Sequence, residues 1–172
     1  MNVIDQSGIL GIATRLQRLS ERLRKDGLSI YKDHGIDFEP KWFPVIYSLH
    51  VKPLLSVVEL AHEIGYTHPS TISLLKELEE ENLIRSVKDT ADERRRLVQL
   101  TNKGSALIER MKPVWEIMIA AFTTLVDTKN NLMQAIIEAE DQLERQSFLQ
   151  RARANSVAEG LPQAMPAADT KQ

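Results

Sequence analysis

The chain has 172 residues, of which 42 % are hydrophobic and 27 % charged, with no cysteine and a formal net charge of −2. This length fits one domain with a short extension. The lack of cysteine excludes disulfides, thiolate nucleophiles and cysteine-based zinc sites, and it fits a cytoplasmic protein. No run approaches the ~18 apolar residues of a membrane span, and the first residues lack the basic segment of a signal peptide.

The first fifty residues predict two helices. Apolar residues recur at steps of three and four from Ile9 to Leu23, which indicates one stripe of a helix over residues 8–33. Gly35 and Pro40 interrupt the pattern. A short apolar run over residues 41–50 then predicts a buried helix that starts near Pro40, because proline suits a first helical turn.

Two shorter helices separated by a tight turn follow. Ser56 and Glu59 have the spacing of a capping box, so a helix is expected to begin there and to end at Gly65. Thr67 is a suitable N-cap for the next helix, with Pro69 in its first turn. The apolar stripe of that helix comprises Ile72, Leu75, Leu78 and Leu83. The arrangement is a helix-turn-helix.

A β-hairpin is predicted directly after the second helix. Residues 83–87 and 96–100 have the composition of two short strands, and the stretch between them is polar. The segment from Arg85 to Lys103 contains six basic and three acidic residues, so the hairpin is locally basic although the chain as a whole is not.

The C-terminal part predicts two further helices and a tail. Thr101 caps the first, whose broad apolar face continues to Phe122 and which Pro113 is expected to kink. A final helix is predicted over residues 130–152. Beyond it the composition loses its apolar period, which predicts a disordered tail.

The fold class that follows is mainly α with a small antiparallel β wing, a winged helix-turn-helix embedded between long dimerisation helices. Long apolar helices at both ends of a small chain need a second copy to cover them, so a homodimer is expected. The predicted organisation is a helical dimerisation region over 1–50 and 105–153, a winged helix-turn-helix over 51–104 and a disordered tail over 154–172.

The polar residues of this region suit double-stranded DNA. A helix N-terminus offers unpaired N–H groups and a positive dipole end, and short polar side chains there can reach base edges in the major groove. The residues expected to do so are Thr67, His68, Ser70, Thr71, Ser73 and Lys76. The second half of the helix is acidic and must face away from phosphate. Lys88, Arg95 and Arg96 of the hairpin are expected near phosphate, and Ser56 combines its cap with a phosphate contact.

The same residues resemble the MarR (multiple antibiotic resistance regulator) family. The resemblance lies in Glu59-Leu60-Ala61, in residues 69–73 and 78–85, and in the hairpin pattern over 89–104, and it is specific over about residues 54–107. It implies an obligate homodimer whose terminal helices interlock, and a transcription regulator, most often a repressor, on a pseudo-palindromic operator. It further implies that Arg94 enters the minor groove and that Asp92 holds it. Asn82 stands where the family usually has glycine, and asparagine also tolerates the left-handed conformation.

Simpler interpretations stay open at several positions. Ser56 can be a cap only, the polar cluster after Thr67 a solvated helix start, and Asp92 with Arg94 an exposed ion pair. Four aromatic or imidazole side chains could line a pocket for a small aromatic or lipophilic effector, or could simply belong to the core: Tyr31, Trp42, Tyr47 and His50.

Other functional classes have less support in the sequence. The four histidines lack metal-site spacing, and no nucleophile–base pair or glycine-rich phosphate loop is present, so neither a metal, a cofactor nor an enzyme is predicted. The alternative to a DNA-binding regulator is a winged-helix module for protein–protein interaction without specific DNA binding, because the acidic helix half and the net charge of −2 would suit such a module.

Overall fold

Helices form most of the chain, which a computed structural model describes over residues 2–89 and 95–158. The helices of these ranges are α1 (Val3–Gln6), α2 (Ile12–Asp33), α3 (Phe43–Val51), α4 (Val57–Ile64), α5 (His68–Glu80), α6 (Asn102–Val126), α7 (Leu132–Arg145) and α8 (Phe148–Ala158). The strands are β1 (Leu55–Ser56), β2 (Ile84–Lys88) and β3 (Arg96–Leu100). The mainly α fold with a small antiparallel sheet is confirmed.

The N-terminal helix begins later than predicted. Residues 8–33 were expected to form one helix, but Gly8–Gly11 form a 3-10 turn and α2 starts at Ile12. Gly8 has a φ of +59°, which is incompatible with a continuous right-handed helix. Asn2 caps the separate short helix α1 by accepting a hydrogen bond from the N–H of Asp5.

The sheet has one strand more than the predicted hairpin. Its order is β1-β3-β2, and both neighbouring pairs are antiparallel. Leu55 pairs with Val98 in the first ladder, and Ile84 pairs with Leu100 in the second. The sequence did not indicate β1, because a strand of two residues has no period to recognise.

Both ends of the hairpin are fixed to each other and to the start of α6. The hydroxyl of Thr101 donates to the carbonyl of Asn82 at 2.7 Å, and the backbone N–H of Thr101 donates to Leu83 at 3.0 Å. The same hydroxyl accepts from the N–H of Gly104 at 3.0 Å, which confirms the predicted cap. A Cβ on Gly104 would collide with the carbonyl oxygen of Leu83. Asn82 has a φ of +56°, so the predicted left-handed residue is confirmed.

The chain divides into two compact units, Met1–Ala120 and Ala121–Gln172. The first unit contains a core of buried apolar side chains from α2, α3, α4, α5, the sheet and α6. Phe38 packs edge-on against both Tyr31 and Trp42, with ring centroids 5.1 and 5.8 Å apart. This core holds the helix-turn-helix and the hairpin in one body.

The second unit consists of the end of α6 with α7 and α8. The predicted single helix over 130–152 is wrong, because Gln146 adopts an extended conformation and ends α7. Ser147 and Gln150 then form a capping box that starts α8, with each backbone N–H donating to the other side chain. Helix α8 continues to Ala158, so the predicted tail does not begin at 154. Residues 159–172 lie outside the described ranges.

The terminal helices leave many apolar side chains in solvent. Leu10 is 90 % exposed, and Phe148 is 77 % exposed. Helices α7 and α8, which are described throughout, bury none of their residues. Within the described part of the chain, no helix combines the length and the apolar character that crossing a membrane requires.

Candidate nucleic-acid interface

The turn between α4 and α5 is fixed by caps on both sides. Ser56 Oγ accepts a hydrogen bond from the N–H of Glu59 at 3.3 Å, and the Glu59 carboxylate accepts from the N–H of Ser56 at 2.8 Å. Gly65 ends α4 with a φ of +68°, a conformation that glycine adopts without a Cβ clash. Thr67 begins α5 by accepting from the N–H of Ser70 at 3.4 Å. The predicted capping box, helix stop and N-cap are confirmed.

The first two turns of α5 expose one side to solvent, which we call the α5 contact face. Five of the predicted contact residues are exposed there: Thr67, His68, Ser70, Ser73 and Lys76. Ile72 belongs to the same face and is 41 % exposed, although its apolar side chain was expected inside. Sequence reasoning therefore missed one residue of this face.

Two predicted contact residues do not reach the surface. Thr71 is 0 % exposed, and its hydroxyl donates to the carbonyl of Thr67 at 3.0 Å. It lies on the same side of α5 as the buried Leu74 and Leu75, which explains its burial. Ser56 is 4 % exposed, and its hydroxyl donates to the Glu59 carboxylate at 2.7 Å. The structure thus uses Ser56 as a cap.

The acidic half of α5 is partly turned toward the protein. Glu77 receives hydrogen bonds from Lys41 at 2.6 Å and from the indole of Trp42 at 3.1 Å, and both lower its pKa. Glu79 bonds to Ser86 and to Arg96; partial burial opposes its ionisation, but these two hydrogen bonds lower its pKa overall. Both carboxylates are thus bonded to side chains of their own chain, and that they point away from a phosphate backbone stays a prediction.

The β2–β3 hairpin is the wing of this fold. At its base, Arg95 contacts acidic groups of its own chain. Its guanidinium lies 2.6 Å from the Glu59 carboxylate and 3.7 Å from the Asp89 carboxylate. The backbone and hydroxyl hydrogen bonds of Ser56, reinforced by Arg95, lower the pKa of Glu59 from 4.5 to about 2. Arg95 therefore joins the hairpin to the first turn of α4.

Arg96 joins the hairpin to α5 in a similar way. It donates to Glu79 at 2.7 Å and to the hydroxyl of Ser86 at 2.5 Å. Lys88, at the end of β2, is exposed. Asp92 and Arg94, to which the family resemblance gave the minor-groove role, lie outside the described residues.

The four side chains expected to line an effector pocket separate into two pairs. Tyr31 and Trp42 are buried in the core, where burial raises the pKa of the Tyr31 phenol. Tyr47 and His50 are exposed and pack against Trp115, with ring centroids 5.7 and 6.3 Å from it. The Trp115 indole donates to the Tyr31 hydroxyl at 3.0 Å and so connects the pairs.

One member of these pairs borders an open cleft. His50 lines a space of about 380 Å³ together with Leu49, Gln99 and Ile108. Among the residues of the described ranges, no group of three or more histidine or acidic side chains is placed to hold a metal ion.

These elements, a helix-turn-helix followed by a hairpin on a three-stranded sheet, define a winged helix-turn-helix protein. A model of the MarR family matches residues 34–95. The matched segment contains the whole helix-turn-helix and most of the sheet, so this part of the chain is similar to the MarR family.

One relative and two solved structures illustrate the similarity. The uncharacterized HTH-type transcriptional regulator YwaE of Bacillus subtilis is 29 % identical over 105 residues, which span 60 % of this chain and 60 % of the relative. The fold matches a mutant of E. coli MarR in complex with operator DNA, with a TM-score of 0.65 and 19 % identity over 83 % of this chain and 99 % of the other. It also matches the PcaV transcriptional regulator from Streptomyces coelicolor in complex with its natural ligand, with a TM-score of 0.57 and 21 % identity over 78 % and 92 % of the two chains.

Proposed function

We propose that this chain is a sequence-specific DNA-binding transcription regulator, a homodimeric repressor of a pseudo-palindromic operator. The observation that carries the proposal is the α5 contact face, where exposed polar side chains surround the N-terminus of a helix whose opposite side is buried in the core. Such a helix end attracts phosphate and admits side chains to base edges. The family match and the likeness to a DNA-bound structure support it. The protein acts by binding rather than by catalysis, and it acts in the cytoplasm.

The exposed terminal helices support the homodimer. The 3-10 turn and the start of α2 expose apolar side chains beside three arginines; the set is Ile9, Ile12, Leu16, Arg15, Arg18 and Arg22. Helix α7 exposes apolar side chains beside four acidic ones; the set is Met133, Ile137, Leu143, Glu138, Glu140, Asp141 and Glu144. Arg18 is already paired with Asp5 of its own chain at 2.7 Å, so the apolar side chains carry the argument. Both surfaces expose them, and we propose that the two pack together between two copies of the chain.

The dimer would place two α5 helices in successive major grooves, about 34–36 Å apart. By the family resemblance, Arg94 would enter the minor groove beside Asp92, since the concentrated negative potential there attracts arginine. We also propose that a small aromatic or lipophilic compound releases the DNA by binding near Tyr47, His50 and Trp115. Operator affinity that stays constant across phenolic and other aromatic compounds would contradict this last step.

The interaction-module alternative has lost its main support. It depended on the acidic half of α5, but Glu77 and Glu79 are held by Lys41 and Arg96 of the same chain. These two carboxylates are therefore not presented to a basic partner protein.

A selection of duplex DNA from a random pool by the purified protein tests the proposal. We expect enrichment of an inverted repeat with half-sites about one helical turn apart, bound with an affinity that falls steeply with salt. A folded dimer that enriches no sequence, and whose weak binding is the same for every duplex, would refute the proposal.

A further inference from the structure

We infer that Ile72 is a specificity-determining residue that recognises the C5 methyl group of a thymine in each operator half-site. The inference rests on the proposed function and deepens it, since it names a base and an atom on that base. It starts from the exposure of an isoleucine where the apolar stripe predicted a buried one.

The position of Ile72 follows from the helical period. The buried side of α5 consists of Thr71, Leu74, Leu75 and Leu78, which recur at steps of three, one and three. Ile72 follows Thr71 by one residue and is therefore rotated by about 100° from it. It lies one turn after His68 and one turn before Lys76, on the exposed side of α5. A side chain there is among the first to meet a base edge when the helix enters a groove.

The polar groups around Ile72 are partly occupied within the helix. The hydroxyls of Thr67 and Ser70 lie 2.9 Å apart in a hydrogen bond, and the hydroxyl of Thr71 is buried. Lys76 lies 3.8 Å from Glu80. Hydrogen-bonded reading of bases by these side chains is therefore restricted, and Ile72 is an exposed apolar side chain among them.

The major groove contains one apolar substituent that matches this side chain, the C5 methyl of thymine. The nitrogen and oxygen groups that the bases present on that side are hydrogen-bond donors or acceptors. Packing Ile72 against such a group would remove water from it without providing a partner. An exposed aliphatic side chain at this position consequently selects thymine by attraction and disfavours the polar edges.

The test removes only the methyl group. In the operator obtained by selection, each thymine is replaced in turn by deoxyuridine, and the dissociation constant is measured for the wild type and for Ile72→Ala. We expect one position per half-site at which deoxyuridine weakens wild-type binding by about fourfold. This factor in the dissociation constant corresponds to the free energy of burying one methyl-sized group. At that position Ile72→Ala should bind both duplexes equally.

Two further variants control for indirect effects. Ile72→Val retains a methyl group toward the base and should keep most of the deoxyuridine sensitivity. Val51→Ala shortens an equally aliphatic, exposed side chain on α3 and should match the wild type at every position. Loss of helical circular dichroism in Ile72→Ala is not expected, because the side chain is exposed.

The inference and the proposed function fail in different ways. Selective binding in which no deoxyuridine position distinguishes Ile72→Ala from the wild type would overturn the role of Ile72 and leave the regulator proposal intact. A protein that selects no duplex would overturn both.

Discussion

The α5 contact face and the base of the wing both carry predicted DNA contacts, but different forces hold their side chains. Behind the contact face, Leu74, Leu75 and Leu78 are buried in the core, while Ser73 and Lys76 point to solvent. At the base of the wing, the side chains of Arg95 and Arg96 are bonded to carboxylates of α4, α5 and the residue after β2.

The difference shows that a basic residue near a DNA-binding element need not supply charge to DNA. Arg95 and Arg96 each balance at least one carboxylate of their own chain, so the hairpin presents less positive charge than its composition suggests. Their contribution is to orient the wing against the helix-turn-helix. The contact face, in contrast, is oriented by apolar packing behind it and keeps Ser73 and Lys76 exposed to solvent.

The largest effect should come from the packing behind the contact face. Leu75 is 0 % exposed, so Leu75→Ala should lower the free energy of unfolding by about 2–5 kcal/mol through lost burial and a cavity. Arg96→Ala, which breaks a partly exposed ion pair, should cost at most about 1 kcal/mol. Urea denaturation of both variants measures the contrast, and equal losses would contradict it.

The second prediction concerns charge. In a dimer, Lys76→Ala should remove one phosphate contact per half-site. The slope of log affinity against log salt concentration should therefore become shallower by about 2. Arg96→Ala should leave the slope within error of the wild type, because the guanidinium already neutralises Glu79. If Arg96→Ala flattens the slope as much as Lys76→Ala, the arginine exchanges its carboxylate for phosphate on DNA and the contrast between the two regions disappears.

The smallest effect should be the loss, at acidic pH, of the stability that the Glu59 carboxylate contributes. The pKa of Glu59 is lowered to about 2 from 4.5, so the ionised carboxylate stabilises the fold above pH 4.5. This contribution is lost as the pH falls from 4.5 through 2. Glu59→Gln should therefore have a lower urea midpoint than the wild type at pH 7, and the two midpoints should converge toward pH 2.

A matched variant separates this effect from a general loss of negative charge. Glu116→Gln changes an exposed glutamate of α6 and should follow the wild type at every pH. A midpoint difference between Glu59→Gln and the wild type that persists unchanged to pH 2 would show that Glu59 acts through its shape in the capping box and not through its charge.

Local signals were sufficient to predict most of the fold. Ser56 with Glu59, Gly65, Thr67 and Thr101 are caps or stops whose chemistry acts within a few residues, and all of them form as expected. The break before α8 also had such a signal, since Ser147 and Gln150 have capping-box spacing, but the apolar stripe around it was read as continuous. The start of α2 was misjudged because Gly8 was treated as a helix residue.

The errors in the candidate interface have a different origin. Leu75 and Leu78 fit a helical stripe with either Ile72 or Thr71. Hydrophobicity favoured Ile72 as the third buried residue, but the structure buries Thr71 instead. Thr71 can be buried because its hydroxyl is satisfied by the carbonyl of Thr67, one turn earlier. The helical carboxylates that bind Arg95 and Arg96, Glu59 and Glu79, lie 36 and 17 residues away in the chain, so the local sequence pattern contains no sign of these pairs.

Because hydrogen bonds fix the hairpin at its base, the segment between Asp89 and Arg95 can be replaced without changing the rest of the fold. Thr101, bonded to Asn82 and Leu83, closes the hairpin at its base, and the N–H of Asp89 donates to the carbonyl of Arg95 at 3.3 Å nearer its tip. A change in loop length between Asp89 and Arg95 would therefore leave the ends of α5 and α6 where they are. Loops of other lengths and sequences can therefore be exchanged between these two positions while the helix-turn-helix stays unchanged, and under the proposed function such exchanges would alter only the contacts with flanking DNA.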